Sequence, residues 1–104
     1  MNKTRLSRVI ANMEAQSLEQ IVVTSTSSVY YLTGIHVEPM ERMLALYIHT
    51  SGRCVLYANE LFAIPPQEDL ELLLHTDSDD PAALLAAGVA SGRLGIDKSW
   101  PSKF

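Results

Sequence analysis

Few features of a self-contained catalyst or a nucleic-acid-binding protein occur in the sequence. The three histidines, His36, His49 and His75, show no metal-ligand spacing, and no Gly-x-Gly-x-x-Gly stretch, Walker loop or Gly-x-Ser-x-Gly elbow is present. The formal net charge is -4 and no Lys/Arg cluster occurs, whereas binding to a phosphate backbone depends on clustered cations. We therefore expect no nucleic-acid partner, and the chain alone supports no argument for a complete hydrolase.

Cysteine and long apolar runs are equally scarce. Cys54 is the single cysteine, so an internal disulfide is excluded, and its apolar surroundings are typical of a small buried side chain in a reducing compartment. No apolar segment approaches the roughly 18 to 20 residues that span a bilayer, and the polar start Met1–Arg5 leads into no signal-peptide core. These observations predict a soluble, cytoplasmic protein without a membrane partner.

The acidic run Asp77–Asp80 is the one stretch that suggests a cation loop. A calcium loop starting there requires glycine at its sixth position and a bidentate glutamate at its twelfth, and these positions hold Ala82 and Gly88. Carboxylates are also favourable just before a helix, where they meet its positive end. We interpret the run as a helix start and predict no metal site in this chain.

The first half of the chain alternates helical and strand patterns. Apolar residues at helical spacing predict an amphipathic first helix, and the β-branched run 21–23 predicts a strand covered on both faces. Thr26 or Ser27 is expected to cap a short helix that Gly34 ends. The apolar runs 43–48 and 54–57 flank a Ser-Gly turn and predict a β-hairpin. The apolar stripe of the first helix consists of Leu6, Val9, Ile10 and Met13.

The second half continues the alternation. Residues 59–64 suit a helical turn stopped by two prolines, a segment whose class the pattern leaves open. Residues 70–75 predict a strand, and Asp80-Pro81 predicts a helix that ends at Gly92 and groups Leu84, Leu85 and Val89 near one face. A last strand covers 94–97. The order α-β-α-β-β-β-α-β, with no linker or repeat, predicts one α/β domain over residues 1–104 with three α/β/α layers and a mixed sheet.

Several different short motifs follow one another along the chain. They are Tyr30-Tyr31-Leu32-Thr33-Gly34, Glu41-Arg42 before the apolar strand, Asp80-Pro81, and Gly95-Ile96-Asp97. In this order and spacing they resemble the N-terminal domain of the creatinase/prolidase family, the Xaa-Pro dipeptidases and aminopeptidases. The resemblance covers essentially the whole chain, and it leaves open whether the parent is a dipeptidase or an aminopeptidase.

The resemblance implies a fragment of a longer two-domain metallopeptidase. The family's catalytic pita-bread domain carries two Asp, one His and two Glu ligands for paired Mn, Co or Zn ions and would begin only after Phe104. The chain itself then has no catalytic residue, no cofactor and no hydrolase activity. Its expected partners are its own C-terminal catalytic domain, a second copy in a homodimer and a proline-containing peptide substrate.

In homodimeric relatives the loop after Tyr-Leu-Thr-Gly reaches over the partner subunit's active site. Carried onto this sequence, the resemblance implies a substrate-proximal loop at residues 35–42 with Met40 where prolidase-like members often have histidine. Arg42 either pairs with a peptide carboxylate or fixes the loop through Glu41. Tyr30 and Tyr31 are interface candidates, although we expect at least one of them to pack in the core. The candidate loop residues are His36, Glu38, Glu41 and Arg42.

Two other interpretations remain open. A free-standing dimerisation or peptide-binding module without hydrolase activity fits the same motifs. An unrelated small α/β binding domain that matches by chance predicts a different fold, so the fold distinguishes it from the other two.

Overall fold

A computed structural model describes residues 1–37, 43–62, 64, 67, 70–76, 78–89 and 94–96 of the chain. The predicted order of helices and strands is confirmed, and the segment left open contains a short 3-10 helix. None of the helices in these ranges is long and apolar enough to cross a bilayer. The elements are α1 (Lys3–Ala15), β1 (Gln20–Val23), α2 (Thr26–Thr33), β2 (Ala45–His49), β3 (Cys54–Asn59), the 3-10 helix Glu60–Phe62, β4 (Glu71–His75), α3 (Pro81–Gly88) and β5 (Leu94–Ile96).

The strands form one mixed sheet in the order β4-β3-β2-β1-β5. The central strand β2 is antiparallel to both of its neighbours, β1 and β3, whereas the outer strands β4 and β5 run parallel to the strands they pair with. The predicted hairpin joins β2 to β3, and the His49 amide donates to the Arg53 carbonyl at 2.9 Å. Gly52 has a φ of 98° in this turn, a conformation that other residues rarely adopt.

Apolar side chains cover both faces of the sheet, because successive residues of a strand point to opposite sides. On one face Leu46 and Leu56 pack with Met13 of α1 and Leu32 of α2. On the other face the sheet packs against Leu85 of α3, through a cluster that includes Val22, Tyr47, Val55 and Tyr57. The sheet therefore lies between two helical layers, as the sequence predicts.

The cap of α2 differs from the prediction by one or two residues. Ser25, rather than Thr26 or Ser27, caps the helix, and its hydroxyl accepts from the Ser28 amide at 3.4 Å. The reason is that a cap residue has extended backbone, and Ser25 is extended whereas Thr26 is already helical. The predicted end is confirmed: Gly34 is left-handed, with a φ of 76°.

Helix α3 begins as predicted but is shorter. The Asp80 carboxylate accepts from the Ala83 amide at 3.2 Å, with Pro81 at the start of the helix. The helix ends at Gly88, not at Gly92, because Val89 already has extended backbone. Leu85 is buried but Leu84 is 40% exposed, so the predicted grouping is wrong for Leu84, since neighbouring helical residues point about 100° apart.

Candidate functional site

The two tyrosines of α2 face outward at the end of the helix. Tyr30 is 53% exposed and Tyr31 is 47% exposed, because Val29 and Leu32 occupy the buried side of the same helix. The expectation that one tyrosine packs in the core is therefore wrong. Both rings lie on the surface, where tyrosine often contributes to binding.

Arg5 of α1 holds Tyr31 in place. Its Nη1 donates to the Tyr31 carbonyl at 2.8 Å, and its guanidinium carbon lies 4.1 Å from the centre of the Tyr31 ring. This contact combines a hydrogen bond with a cation–π interaction. Sequence reasoning did not find Arg5, because nothing in the local pattern indicates which part of α2 the first turn of α1 meets.

A pocket of about 450 Å³ lies between the start of α1 and the end of α2. The Asn2 amide donates to the Leu32 carbonyl at 2.7 Å, and the Thr33 hydroxyl donates to the Val29 carbonyl at 2.6 Å. These bonds fix the backbone that forms the walls, and the volume is within the range of small-ligand sites. The lining residues are Met1, Asn2, Arg5, Tyr30, Tyr31, Thr33 and Gly34.

His36, the first candidate residue of the predicted loop, extends this surface. It is exposed, and its ring meets that of Tyr30 edge-on, with centroids 5.7 Å apart and planes at 88°. The other predicted loop residues, Glu38, Glu41 and Arg42, lie outside the described residues, as does Met40. Hereafter the aromatic surface means Arg5, Tyr30, Tyr31 and His36.

The aromatic surface suits binding rather than bond cleavage. It presents one guanidinium, two phenols and one imidazole around a pocket, which are groups that contact carboxylates, carbonyls and aromatic rings. Within the part of the chain that the structure describes, no group of three or more His, Cys, Asp or Glu side chains is placed to hold a metal ion. These groups make the aromatic surface a candidate for recognition.

The single thiol is not a nucleophile at neutral pH. Cys54 is buried on β3, and burial raises its pKa to about 11, an effect that the amino terminus partly opposes. A protonated thiol is unreactive because the thiolate is the attacking species. This burial confirms the structural interpretation of Cys54.

The sequence matches a known domain family. The creatinase/prolidase N-terminal domain family matches residues 5–104. An uncharacterized peptidase of Staphylococcus aureus strain USA300 is 34% identical over 58 residues, which is 56% of this chain and 16% of the relative. The matched segment thus spans less than a fifth of the length of that peptidase.

Solved structures with the same fold support this assignment. The creatinase/prolidase N-terminal domain of an X-Pro dipeptidase from Streptococcus pyogenes has a TM-score of 0.72 at 21% identity, covering 83% of this chain and 72% of that one. A prolidase from Thermococcus sibiricus has a TM-score of 0.82 at 24% identity, covering 99% of this chain and 30% of that one. At these identities the likeness shows a shared fold.

Proposed function

Because the chain belongs to the creatinase/prolidase N-terminal domain family, we propose that it is the non-catalytic N-terminal domain of a metal-dependent Xaa-Pro dipeptidase or aminopeptidase. The family match over residues 5–104 carries this proposal. The chain covers only 16% of the S. aureus peptidase and 30% of the Thermococcus prolidase. The catalytic step is therefore assigned to a second domain that follows this one.

The metal chemistry belongs to that second domain. The described residues form no metal-binding group, so they do not fit the two divalent ions, Mn, Co or Zn, that the proposal requires. Paired ions in such hydrolases activate a water molecule. The contribution of the present chain is binding and assembly, in a cytoplasmic enzyme that acts on proline-containing peptides.

The aromatic surface is the described region that best suits such a role. It leads directly into the loop at residues 35–42, which we propose covers the active site of the partner subunit in a homodimer. Exposed Tyr and Arg side chains are enriched in protein interfaces, and Arg5 already holds Tyr31 in a fixed position. Of the four candidate loop residues, His36 is the one that the structure describes, while Glu38, Glu41 and Arg42 remain predictions.

A domain exchange tests the proposal. We would replace the N-terminal domain of the Thermococcus prolidase by this chain and compare Xaa-Pro hydrolysis by the chimera with that by the catalytic domain alone and by the 104-residue chain alone. We expect hydrolysis by the chimera to exceed that of the catalytic domain. The isolated chain should remain inactive with Mn, Co or Zn ions added.

Single substitutions in the chimera identify which residues of this chain contribute to the hydrolysis of Xaa-Pro dipeptides. His36→Ala should raise KM for Xaa-Pro dipeptides, because it removes the imidazole at the start of the loop, whereas Glu60→Ala, at an exposed position of the 3-10 helix, should leave KM unchanged. Hydrolysis by the isolated chain, or a chimera no more active than the catalytic domain, would contradict the proposal.

The pocket beside Arg5 favours a second candidate function, a free-standing peptide-binding module. Its volume of about 450 Å³ accommodates one or two side chains of a peptide. Calorimetric titration of the 104-residue chain with a proline-containing peptide distinguishes the two functions. Binding that Tyr31→Ala abolishes, together with an inactive chimera, would favour the module.

A further inference from the structure

Strand β4 exposes apolar side chains on both sides of the sheet edge. It is the end strand of the sheet, and no described strand pairs with its outer edge. Leu73 is 41% exposed and Leu74 is 49% exposed. Since successive side chains of a strand point to opposite faces, leucine is exposed above and below the same edge.

Within β4 itself, no lysine, proline or bulge prevents further pairing. Natural edge strands are usually protected by lysine, proline, a bulge or a charged residue in the middle of the strand. Strand β4 reads Glu71-Leu72-Leu73-Leu74-His75 and pairs with β3 through all five residues without interruption. Its outer edge is therefore a regular template for one more strand.

The sequence of β4 is complementary to itself in one orientation. In an antiparallel pair centred on Leu73, this residue faces its own copy and Leu72 faces the partner's Leu74, so leucine meets leucine on both faces. Glu71, which pairs with Arg53 of its own chain at 3.4 Å, then lies opposite the partner's buried His75, so the complementarity rests on the leucines. A parallel pair in register would instead place two Glu71 carboxylates side by side, and like charges directly opposite one another are unfavourable.

We propose that β4 binds β4 of a second copy of this chain in this antiparallel register, which joins the two sheets into one. The contact has the two-fold symmetry of an isologous dimer, in which the same surface is used by both subunits. This inference rests on the dimerisation included in the proposed function and assigns a surface to it. The aromatic surface on α1 and α2 remains available for the catalytic domain.

Sedimentation velocity of the 104-residue chain over a concentration series tests the contact. Leu73→Lys should weaken dimerisation by roughly tenfold or more, because two ammonium groups would meet at the symmetry axis. The matched control is Leu84→Lys on α3, since Leu84 is 40% exposed and Leu73 is 41% exposed. The control should dimerise as the unchanged chain does, and circular dichroism should show that both variants are folded.

A cysteine at the axis gives an independent measurement. In Leu73→Cys the two thiols face each other across a distance that a disulfide can bridge. Mild oxidation with oxidised glutathione, which accepts the two electrons and two protons released, should therefore give a covalent dimer. Leu84→Cys should remain monomeric on a non-reducing gel, and the buried native Cys54 should not compete.

The outcomes separate this inference from the broader proposal. A dimer that Leu73→Lys weakens and Leu84→Lys does not would support the β4 contact. A dimer insensitive to Leu73→Lys would overturn the contact and leave dimerisation standing. A monomer at every concentration, with no disulfide in Leu73→Cys, would overturn both, while the activity of the chimera would still test the role in the peptidase.

Discussion

Gly88, the last residue of α3, has no room for a side chain, because Tyr57 of β3 occupies the space beside it. A Cβ atom on Gly88 would lie 2.0 Å from the Tyr57 hydroxyl oxygen. Tyr57 is fully buried, and its hydroxyl has no hydrogen-bond partner among the described residues. Glycine at this position is therefore required by space, and the hydroxyl lies in an environment that does not compensate for its lost hydration.

Gly88→Ala should lower the free energy of unfolding. Alanine favours a helix over glycine by about 0.5–1 kcal/mol, but forcing a methyl group into a filled site costs about 1–3 kcal/mol. The steric cost is the larger, so we expect net destabilisation. Urea denaturation followed by far-UV circular dichroism measures it.

The Tyr57→Phe background provides the control. Removing the unpartnered hydroxyl should be neutral or stabilising on its own. The cost of Gly88→Ala should then be smaller, because the nearest remaining ring atom, Cζ, is 3.4 Å from the added carbon. An equal cost in both backgrounds would show that Tyr57 does not determine this position.

At the scale of single residues, the features that depend on neighbours in the sequence could be predicted. Gly34 and Asp80 were identified because their roles depend on the adjacent turn of one helix. The bond from Arg5 to Tyr31 joins positions 26 residues apart. Its formation depends on how α1 packs against α2, and no local pattern contains that information.

At the scale of elements, α3 depends on its N-cap, the residue just before its first turn. Asp80 accepts a hydrogen bond from the Ala83 amide, and the helix has only eight residues. Asp80→Ala should reduce the free energy of unfolding by about 1 kcal/mol, the usual cost of losing an N-cap. Thermal or urea denaturation of the purified chain measures the difference.

Asp80→Asn is the matched substitution. Asparagine caps a helix about as well as aspartate, so this variant should stay close to the unchanged chain in stability. If Asp80→Asn destabilised the chain as much as Asp80→Ala, the negative charge rather than the cap would be the important property of Asp80.

The elements themselves could be predicted from periodicity, but their arrangement in the sheet could not. The β-branched run of β1 and the hairpin of β2 and β3 are visible in the sequence, because their signals lie within a few residues. Parallel pairing of β4 with β3 and of β5 with β1 brings together distant segments. The order of the elements predicts a mixed sheet covered by helices, but it does not specify which strands are neighbours in that sheet.

At the scale of the whole molecule, the core on each face of the sheet disfavours the negatively charged form of a titratable side chain. Burial raises the pKa of Cys54 from 9.0 to about 11. Burial also raises the pKa of Tyr57, with Arg53 as a partly opposing influence. Both groups therefore keep their protons in the folded chain at a pH where the unfolded chain begins to lose them.

The free energy of unfolding should consequently decrease at alkaline pH. A raised pKa contributes stability that is complete below the unfolded value, here 9.0, and that is lost as the pH rises toward about 11. The Cys54 contribution is up to about 3 kcal/mol. Urea denaturation at a series of pH values from 8 to 11 measures the decrease.

Cys54→Ala separates the two groups. It removes the thiol, so its stability should decrease less steeply between pH 9.0 and about 11, while the Tyr57 contribution at higher pH persists. An unchanged slope in Cys54→Ala would show that the thiol is not responsible.

The pairing of β1 with β5 determines when this domain can be completed during protein synthesis. β1 leaves the ribosome early, yet its parallel neighbour at Leu94–Ile96 is translated last among the described residues. A nascent chain that stops short of Leu94 leaves one side of β1 open, available to other chains or to chaperones. A ribosome that pauses in the preceding codons would prolong that exposure.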